Sequence, residues 1–136
     1  MRLSLAKDLE PLRTAARAKI DAEAEALRLR YITPGEGQAM VYQQKAAEAE
    51  VVVSLPIGEA AKTDFPVLAA EIGPTVPPTE NEDADLRAAA QVVLNMRAMW
   101  AGIAAAIEAL RLTAKNAVAA GGTPAEIEAA SNVSWP

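Results

Sequence analysis

Apolar residues recur every three or four positions along most of the chain, which is the spacing of amphipathic α-helices. The first such stretch predicts a helix from about Asp8, its N-cap, to Tyr31. Its apolar stripe consists of Leu9, Leu12, Ala16, Ile20, Ala24, Leu27 and Tyr31. One amphipathic face therefore requires a partner.

A second helix is predicted to begin almost at once. Thr33, Pro34 and Glu36 fit a capping box, with proline at the first helical position. Pro56 predicts the end of this helix by Leu55, and we interpret Val51 to Val53 as its last turn rather than as a strand. Because short connections favour antiparallel neighbours, residues 1–55 are predicted to form a helical hairpin.

Residues 56–79 are rich in proline and predict a connector with one short helix. Asp64 is its expected N-cap and Gly73 its left-handed stop. Phe65, Leu68 and Ile72 are expected to pack on the side of a bundle. The residues from Gly73 to Pro78 predict a stiff, extended strap.

The longest helix is predicted over residues 80–120, opened by a second capping box that begins at Thr79. Its heptads place Leu86, Val93, Trp100, Ile107 and Ala114 at a, and Ala89, Met96, Ile103, Leu110 and Ala117 at d. Acidic residues at its start (Glu80, Glu82, Asp83 and Asp85) and basic residues near its end suit the helix dipole. Such a helix exceeds its partners in length, so short elements or another subunit must cover the remainder. Gly102 allows either close packing or a kink.

Residues 123–136 predict a short final helix, which a third capping box at Thr123 opens, followed by a tail. Trp135 is a large apolar group in that tail, and we expect it to dock on something. The predicted fold is all-α: one domain over residues 1–136, forming an elongated helical bundle with a proline-rich strap and short accessory helices.

Composition excludes several classes of chemistry. The chain has 32 alanines, no cysteine and no histidine, so disulfides, thiolate nucleophiles, Cys/His zinc sites and the commonest general base are absent. A formal net charge of −5 argues against a nucleic-acid or anionic-membrane surface. We find no signal peptide and no segment approaching the roughly 20 apolar residues of a membrane span. A soluble protein is expected.

Carboxylates are the remaining candidates for chemistry. The acidic group Glu80, Glu82, Asp83 and Asp85 could bind a hard cation, but capping and the helix dipole already explain it. Glu48 and Glu50 point to different faces of a helix and are interpreted as solvated charges. Gly35 and Gly37 lack the strand context and lysine of a phosphate loop. We predict no catalytic residue, no metal, no cofactor and no small-molecule substrate.

One stretch resembles a known module. The pattern Arg28-x-Arg30-Tyr31-Ile32-Thr33-Pro34-Gly35-x-Gly37-Gln38-Ala39-x-x-Tyr42-x-x-Lys45-x-x-Glu48-Ala49 is similar to a module of tailed-bacteriophage and prophage proteins, often tail-fibre or tail-associated. The resemblance continues in Phe65-Pro66-x-Leu68-x-Ala70-Glu71, Ile107-Glu108-x-x-Arg111-x-x-x-Lys115 and Trp135-Pro136. It implies a non-enzymatic virion component, assembled in the bacterial cytoplasm.

Assembly is the expected activity. We predict a homo-oligomer that binds other phage structural proteins, with no nucleic acid and no membrane. The predicted contact residues are Tyr31, Tyr42, Met96, Trp100, Ile103, Ile107, Leu110 and Trp135. Two alternatives stay open: an assembly chaperone that is not retained in the particle, and a head-decoration protein. A lysis enzyme would need a carboxylate pair in a cleft, for which the sequence offers no candidate.

Overall fold

The computed structural model describes residues 8–32 and 34–136. Its helices are α1 (Glu10–Arg28), α2 (Glu36–Ser54), α3 (Pro66–Ala69), α4 (Glu82–Ala120) and α5 (Pro124–Ser131), with one 3₁₀ turn at Lys62–Asp64. The described residues contain no strand beyond an isolated bridge between Ile72 and Val76. The all-α fold class is confirmed, and α4 runs through Gly102 without a break.

The described residues form two compact units. Unit 1 comprises residues 8–32 and 102–136, and unit 2 comprises residues 34–101. Helix α4 contributes one half to each unit, so no change of composition or linker marks the boundary.

Unit 1 packs α1 against the second half of α4. Ile20 and Val118 are fully buried in one cluster, and Leu27 packs with Ile107 in another. Arg13 Nη2 donates to the carbonyl of Gly121. Because rising numbers on α1 meet falling numbers on α4, the two helices are antiparallel. Helix α5 closes the first cluster through Ile127.

Unit 2 packs α2 and the connector against the first half of α4. Val52, Leu68 and Leu86 are fully buried and share one cluster with Phe65 and Val76. The predicted packing of the connector side chains on the helices is therefore confirmed. Arg97 pairs with Glu50 and Arg87 donates to the carbonyl of Leu55, so α2 is also antiparallel to its stretch of α4.

The predicted hairpin between the first two helices stays a prediction, because the structure assigns these helices to different units. Helices α1 and α2 belong to different units and to different hydrophobic clusters. Each finds its antiparallel partner in α4, which offers a longer apolar face than either short helix.

Helix starts were predicted with mixed success. Thr123 caps α5 as expected, its Oγ1 accepting from Glu126 N at 3.1 Å, while Glu126 Oε2 accepts from Gly122 N at 2.7 Å. Helix α1 begins at Glu10 with Leu9 at its N-cap and no side-chain cap, so the Asp8 cap is wrong.

The other two capping boxes predicted helix starts that lie before the observed ones in the chain. Helix α2 begins at Glu36, with Gly35 at a φ of 120° as N-cap rather than Pro34 inside the helix. Thr33 lies outside the described residues. Helix α4 begins at Glu82, and Asn81 Oδ1 caps it by accepting from Ala84 N at 3.1 Å.

The connector is more compact than an extended strap. The expected short helix is a 3₁₀ turn followed by α3, and Phe65 separates them. Gly73 has the predicted positive φ, at 110°. Its N–H donates to the carbonyl of Val76 at 2.7 Å, which folds residues 72–76 into a turn and corrects the prediction of a strap.

Candidate interaction surface

Three of the predicted contact residues are used inside unit 1. Ile107 is fully buried with Ala24 and Leu27, and Ile103 packs against this cluster. Trp135 is half-buried, and its Nε1 donates to Glu23 Oε1 at 2.9 Å. The expectation that Trp135 docks on something is confirmed for its contacts within the chain.

The other predicted contact residues differ in exposure. Tyr42, Trp100 and Leu110 are half-buried, whereas Tyr31 and Met96 are exposed. The heptad positions Leu86, Ala89, Val93, Ile107 and Ala114 are buried as expected. Met96 and Ala117, at d, face solvent. The buried stripe changes along α4 because its two halves pack on different helices, and a 3.6-residue helix drifts from a strict heptad.

Charged side chains of α4 lie beside the packed helices. In unit 2, Arg97 Nη2 approaches Glu50 Oε1 to 2.6 Å. In unit 1, Lys115 and Arg111 both bind Asp21, at 2.9 and 3.0 Å. Glu108 accepts from Arg28 at 2.9 Å. The charges of α4 therefore specify its partners within the chain.

These ion pairs perturb the titration of their members. Hydrogen bonds from Lys115, and then from Arg111, lower the pKa of Asp21 against the opposing effect of burial. The Arg111 guanidinium lowers the pKa of Glu108, and the two carboxylates raise the pKa of Arg111. The side chains of this network therefore stay charged. This is typical of structural ion pairs and not of a proton-transfer site.

The solvent-exposed face of α4 carries no charge beyond Glu82, the first residue of the helix. We call it the neutral face of α4. From Ala88 onward its exposed residues are Ala88, Gln91, Asn95, Met96, Ala98, Met99, Ala101, Gly102, Ala105, Ala106, Ala109, Leu112, Thr113, Asn116, Ala117, Ala119 and Ala120. Met96 is 55% exposed and Met99 is 68% exposed. Solvent-facing helix surfaces normally carry the charged residues, so this arrangement is inverted.

The acidic residues at the start of α4 are structural. Asp83 is buried and accepts from Ala60 N at 2.9 Å and from Arg87 Nε at 2.9 Å. These bonds, that from Arg87 first, lower the pKa of Asp83 to about 2. Asp85 accepts from the hydroxyl of Thr79 at 2.6 Å, and hydrogen bonds from Thr79 lower the pKa of Asp85. Within the described residues no group of three or more acidic side chains is placed to hold a metal ion.

The prediction that Glu48 is a solvated charge is wrong. It is buried, and its Oε2 accepts from Leu68 N at 2.6 Å while Oε1 lies 3.4 Å from Val67 N. The carboxylate thus satisfies free N–H groups of the one-turn helix α3. The signal in the sequence was weak, because a glutamate 20 positions away is not a local capping pattern.

The residues that carry the phage resemblance have structural roles. Lys45 pairs with Glu71, which also accepts from the hydroxyl of Thr75, and these bonds lower the pKa of Glu71. Glu108 and Lys115 belong to the ion pairs of unit 1. These residues of the pattern therefore form ion pairs inside one unit or the other.

Helix α4 is the one helix of the described chain that is long and apolar enough to cross a membrane, judged by length and composition alone. Its best window of 18 residues has a mean hydropathy of 1.3, and 17% of that window is buried. This window corrects the prediction that no segment qualifies.

The fold and its surfaces define an all-α protein whose largest unusual feature is an uncharged helix face. Comparisons with protein-family models, with curated proteins and with solved structures found no match.

Proposed function

We propose that this protein is a non-enzymatic structural component of a tailed-bacteriophage virion, associated with the tail or tail fibre, that acts by protein–protein assembly. The resemblance of residues 28–49 and of the later motifs supports the phage origin. The neutral face of α4 supports assembly and is the observation that carries the proposal. Copies of this chain and other phage structural proteins are the proposed partners.

Helix surfaces that remain in water favour charged residues, because charges keep a protein soluble and oppose association. After Glu82, the charged residues of α4 instead pair with the elements packed on the helix or with each other, although the side chains of Arg97 and Glu108 stay 42% exposed. Small side chains on the neutral face let a second helix approach closely, and methionine adapts to irregular partner surfaces. A Cβ at Gly102 would meet no atom within 4 Å among the described residues, so packing within them does not require this glycine. These features favour burial of the neutral face against another protein.

Lipid is a less suitable partner for α4. A spanning helix would have to leave its clusters, although Leu86 is fully buried in unit 2 and Ile107 is fully buried in unit 1. Arg97 would also lose its pairing with Glu50. A charged side chain at the centre of a bilayer costs at least about 2.5 kcal/mol. A protein partner preserves all of these contacts.

The test is mass spectrometry of purified virions, from the phage or induced prophage that encodes the chain. We expect the protein at a fixed ratio to the tail proteins, and in isolated tails after heads and tails are separated. Absence from particles, with abundance in the infected cell, would support an assembly chaperone. Presence in isolated heads would support a head-decoration protein. Either result would overturn the tail proposal.

A further inference from the structure

A pocket of about 370 Å³ opens on unit 1, beside the end of α1. It is lined by Glu23, Ala26, Leu27, Arg30, Trp135 and Pro136. The first four lie at positions i, i+3, i+4 and i+7, so they share one side of α1 and of the turn that follows it. Backbone bonds from Arg30 N to Leu27 O and from Tyr31 N to Arg28 O continue this turn beyond the helix.

Contacts within unit 1 fix the wall of the pocket. The Trp135 indole packs against both hydrophobic clusters of the unit, and its N–H is bound to Glu23. Leu27 is itself buried in the second cluster, whereas Ala26 is exposed. The apolar part of the pocket is therefore preformed, which reduces the entropic cost of binding.

Arg30 contributes a positive charge that has no partner among the described residues. Each of the other arginines in the described part of the chain has a carboxylate partner. The guanidinium of Arg30 has neither an ion pair nor a hydrogen bond there, and the residue is exposed. A guanidinium presents a planar fork of donors that matches a carboxylate.

Glu23 does not cancel this cation. One of its oxygens accepts from Trp135, and the other lies 4.0 Å from Lys19 Nζ. Glu23 also lies seven positions before Arg30, at the other end of the lining residues. The pocket thus combines an apolar shelf of Ala26, Leu27 and Trp135 with the cation of Arg30 at one end and the carboxylate of Glu23 at the other.

We propose that this pocket binds an apolar side chain next to a carboxylate, presented by the chain terminus of a partner protein. The apolar group would lie on Trp135 and Leu27, and the carboxylate would receive two hydrogen bonds from Arg30. The inference rests on the proposed function, because it supplies a contact for assembly. It differs from the neutral face in location and in chemistry.

N-acetyl-L-leucine is the probe, since it joins an isobutyl group to a carboxylate. Its binding is followed by the indole N–H resonance of Trp135 in proton–nitrogen NMR, assigned with Trp135→Phe and Trp100→Phe. We expect a saturable shift of this resonance. N-acetyl-L-leucinamide, the neutral analogue, should bind at least about tenfold more weakly because it lacks the charge. Equal binding of the acid and the amide, or no shift with either, would overturn the proposal.

Variants test the assignment of the cation. Arg30→Gln should weaken binding of the acid about tenfold or more. Lys62→Gln makes the same change in net charge at a basic residue of unit 2 that also has no ion pair, and it should leave binding unchanged. Ala26→Phe should fill the pocket and abolish binding. Loss of binding in Lys62→Gln equal to that in Arg30→Gln would mean that net charge alone is sensed, against the proposal.

A peptide arm tests the source of the ligand. The peptide Ala-Ala-Ala-Leu with a free carboxyl end should bind at least as well as N-acetyl-L-leucine. If the free acid binds and the peptide does not, the pocket takes a small molecule, and the partner-protein proposal is wrong. These outcomes leave the virion test unaffected, so the two proposals fail separately.

Discussion

Gly121 gives a sharp test of how tightly unit 1 is packed. A Cβ added there would lie 2.9 Å from Ile127 Cγ1 and 3.3 Å from Ile127 N. Ile127 is 2% exposed within the cluster of Ile20 and Val118, and its N–H donates to Thr123 O at 3.1 Å. Neither the side chain nor the backbone of Ile127 can therefore move away freely. We expect Gly121→Ala to lower the free energy of unfolding.

The magnitude follows from two opposing terms. Overpacking in a filled core costs about 1–3 kcal/mol. Replacing glycine by alanine also restricts the unfolded chain, which stabilises the fold by about 0.4–1 kcal/mol. The net loss should be about 1–2 kcal/mol. Gly122→Ala is the matched control, because its Cβ would meet only Glu126 Oε2, at 3.7 Å. That variant should change the stability by less than about 1 kcal/mol.

Urea unfolding in a Trp100→Phe background measures both variants, since Trp135 then reports on unit 1. Adding Ile127→Ala removes the atom that the new Cβ meets, so Gly121→Ala should cost less in that background than in the wild type. Equal stability of the Gly121→Ala and Gly122→Ala variants would refute the packing argument. An unchanged cost of Gly121→Ala in the Ile127→Ala background would also refute it.

Three further predictions concern unit 2 and its polar contacts. Glu48→Ala should destabilise unit 2 by about 1–3 kcal/mol because it leaves the N–H of Leu68 unpaired, whereas Glu50→Ala, which breaks an exposed ion pair, should cost less than about 1 kcal/mol in the same urea titration. Asn81→Ala should cost about 1 kcal/mol through loss of the α4 cap, while Thr63→Ala, at an exposed site, serves as the control in thermal unfolding. Asp83 has a lowered pKa of about 2, so its contribution is complete above its ordinary pKa of 3.8 and is lost as the pH falls toward 2. Asp83→Asn should therefore flatten the loss of stability over this window, as measured by urea titrations from pH 5 to 2, and a slope equal to that of the wild type would contradict the assignment.

Sequence reasoning succeeded where the signal was local. The Thr123 capping box, the positive φ of Gly73 and the helical end of α2 depend on a few adjacent residues, and all three are present. The box at Thr79 misled because Asn81 caps α4 and Thr79 binds Asp85 instead. Thr79 and Asn81 are both suitable capping residues. The contact of Thr79 with Asp85, which the local pattern does not show, leaves Asn81 as the cap.

The sequence did not predict contacts between residues that are far apart in the chain. The sequence does not show which stretch of α4 packs on α1 and which packs on α2, because these contacts join residues far apart in the chain. Burial of Glu48 depends on α3 arriving beside α2 in unit 2. The sequence also does not show the neutral face, because charged residues and alanines are interspersed along α4. The face becomes visible only when the exposed positions of the helix are known.

The central claim is that the neutral face of α4 is an assembly surface, and the molar mass in solution tests it most directly. Light scattering across a range of concentrations should give a multiple of the 14.2 kDa chain mass. Ala109→Glu places a charge on the neutral face, and burial of an unpaired charge costs about 3–5 kcal/mol, so this variant should dissociate. Ala22→Glu, at an alanine of α1 that is also exposed, should keep the mass of the wild type. A wild-type monomer at every concentration, or an Ala109→Glu variant with unchanged mass, would contradict the account.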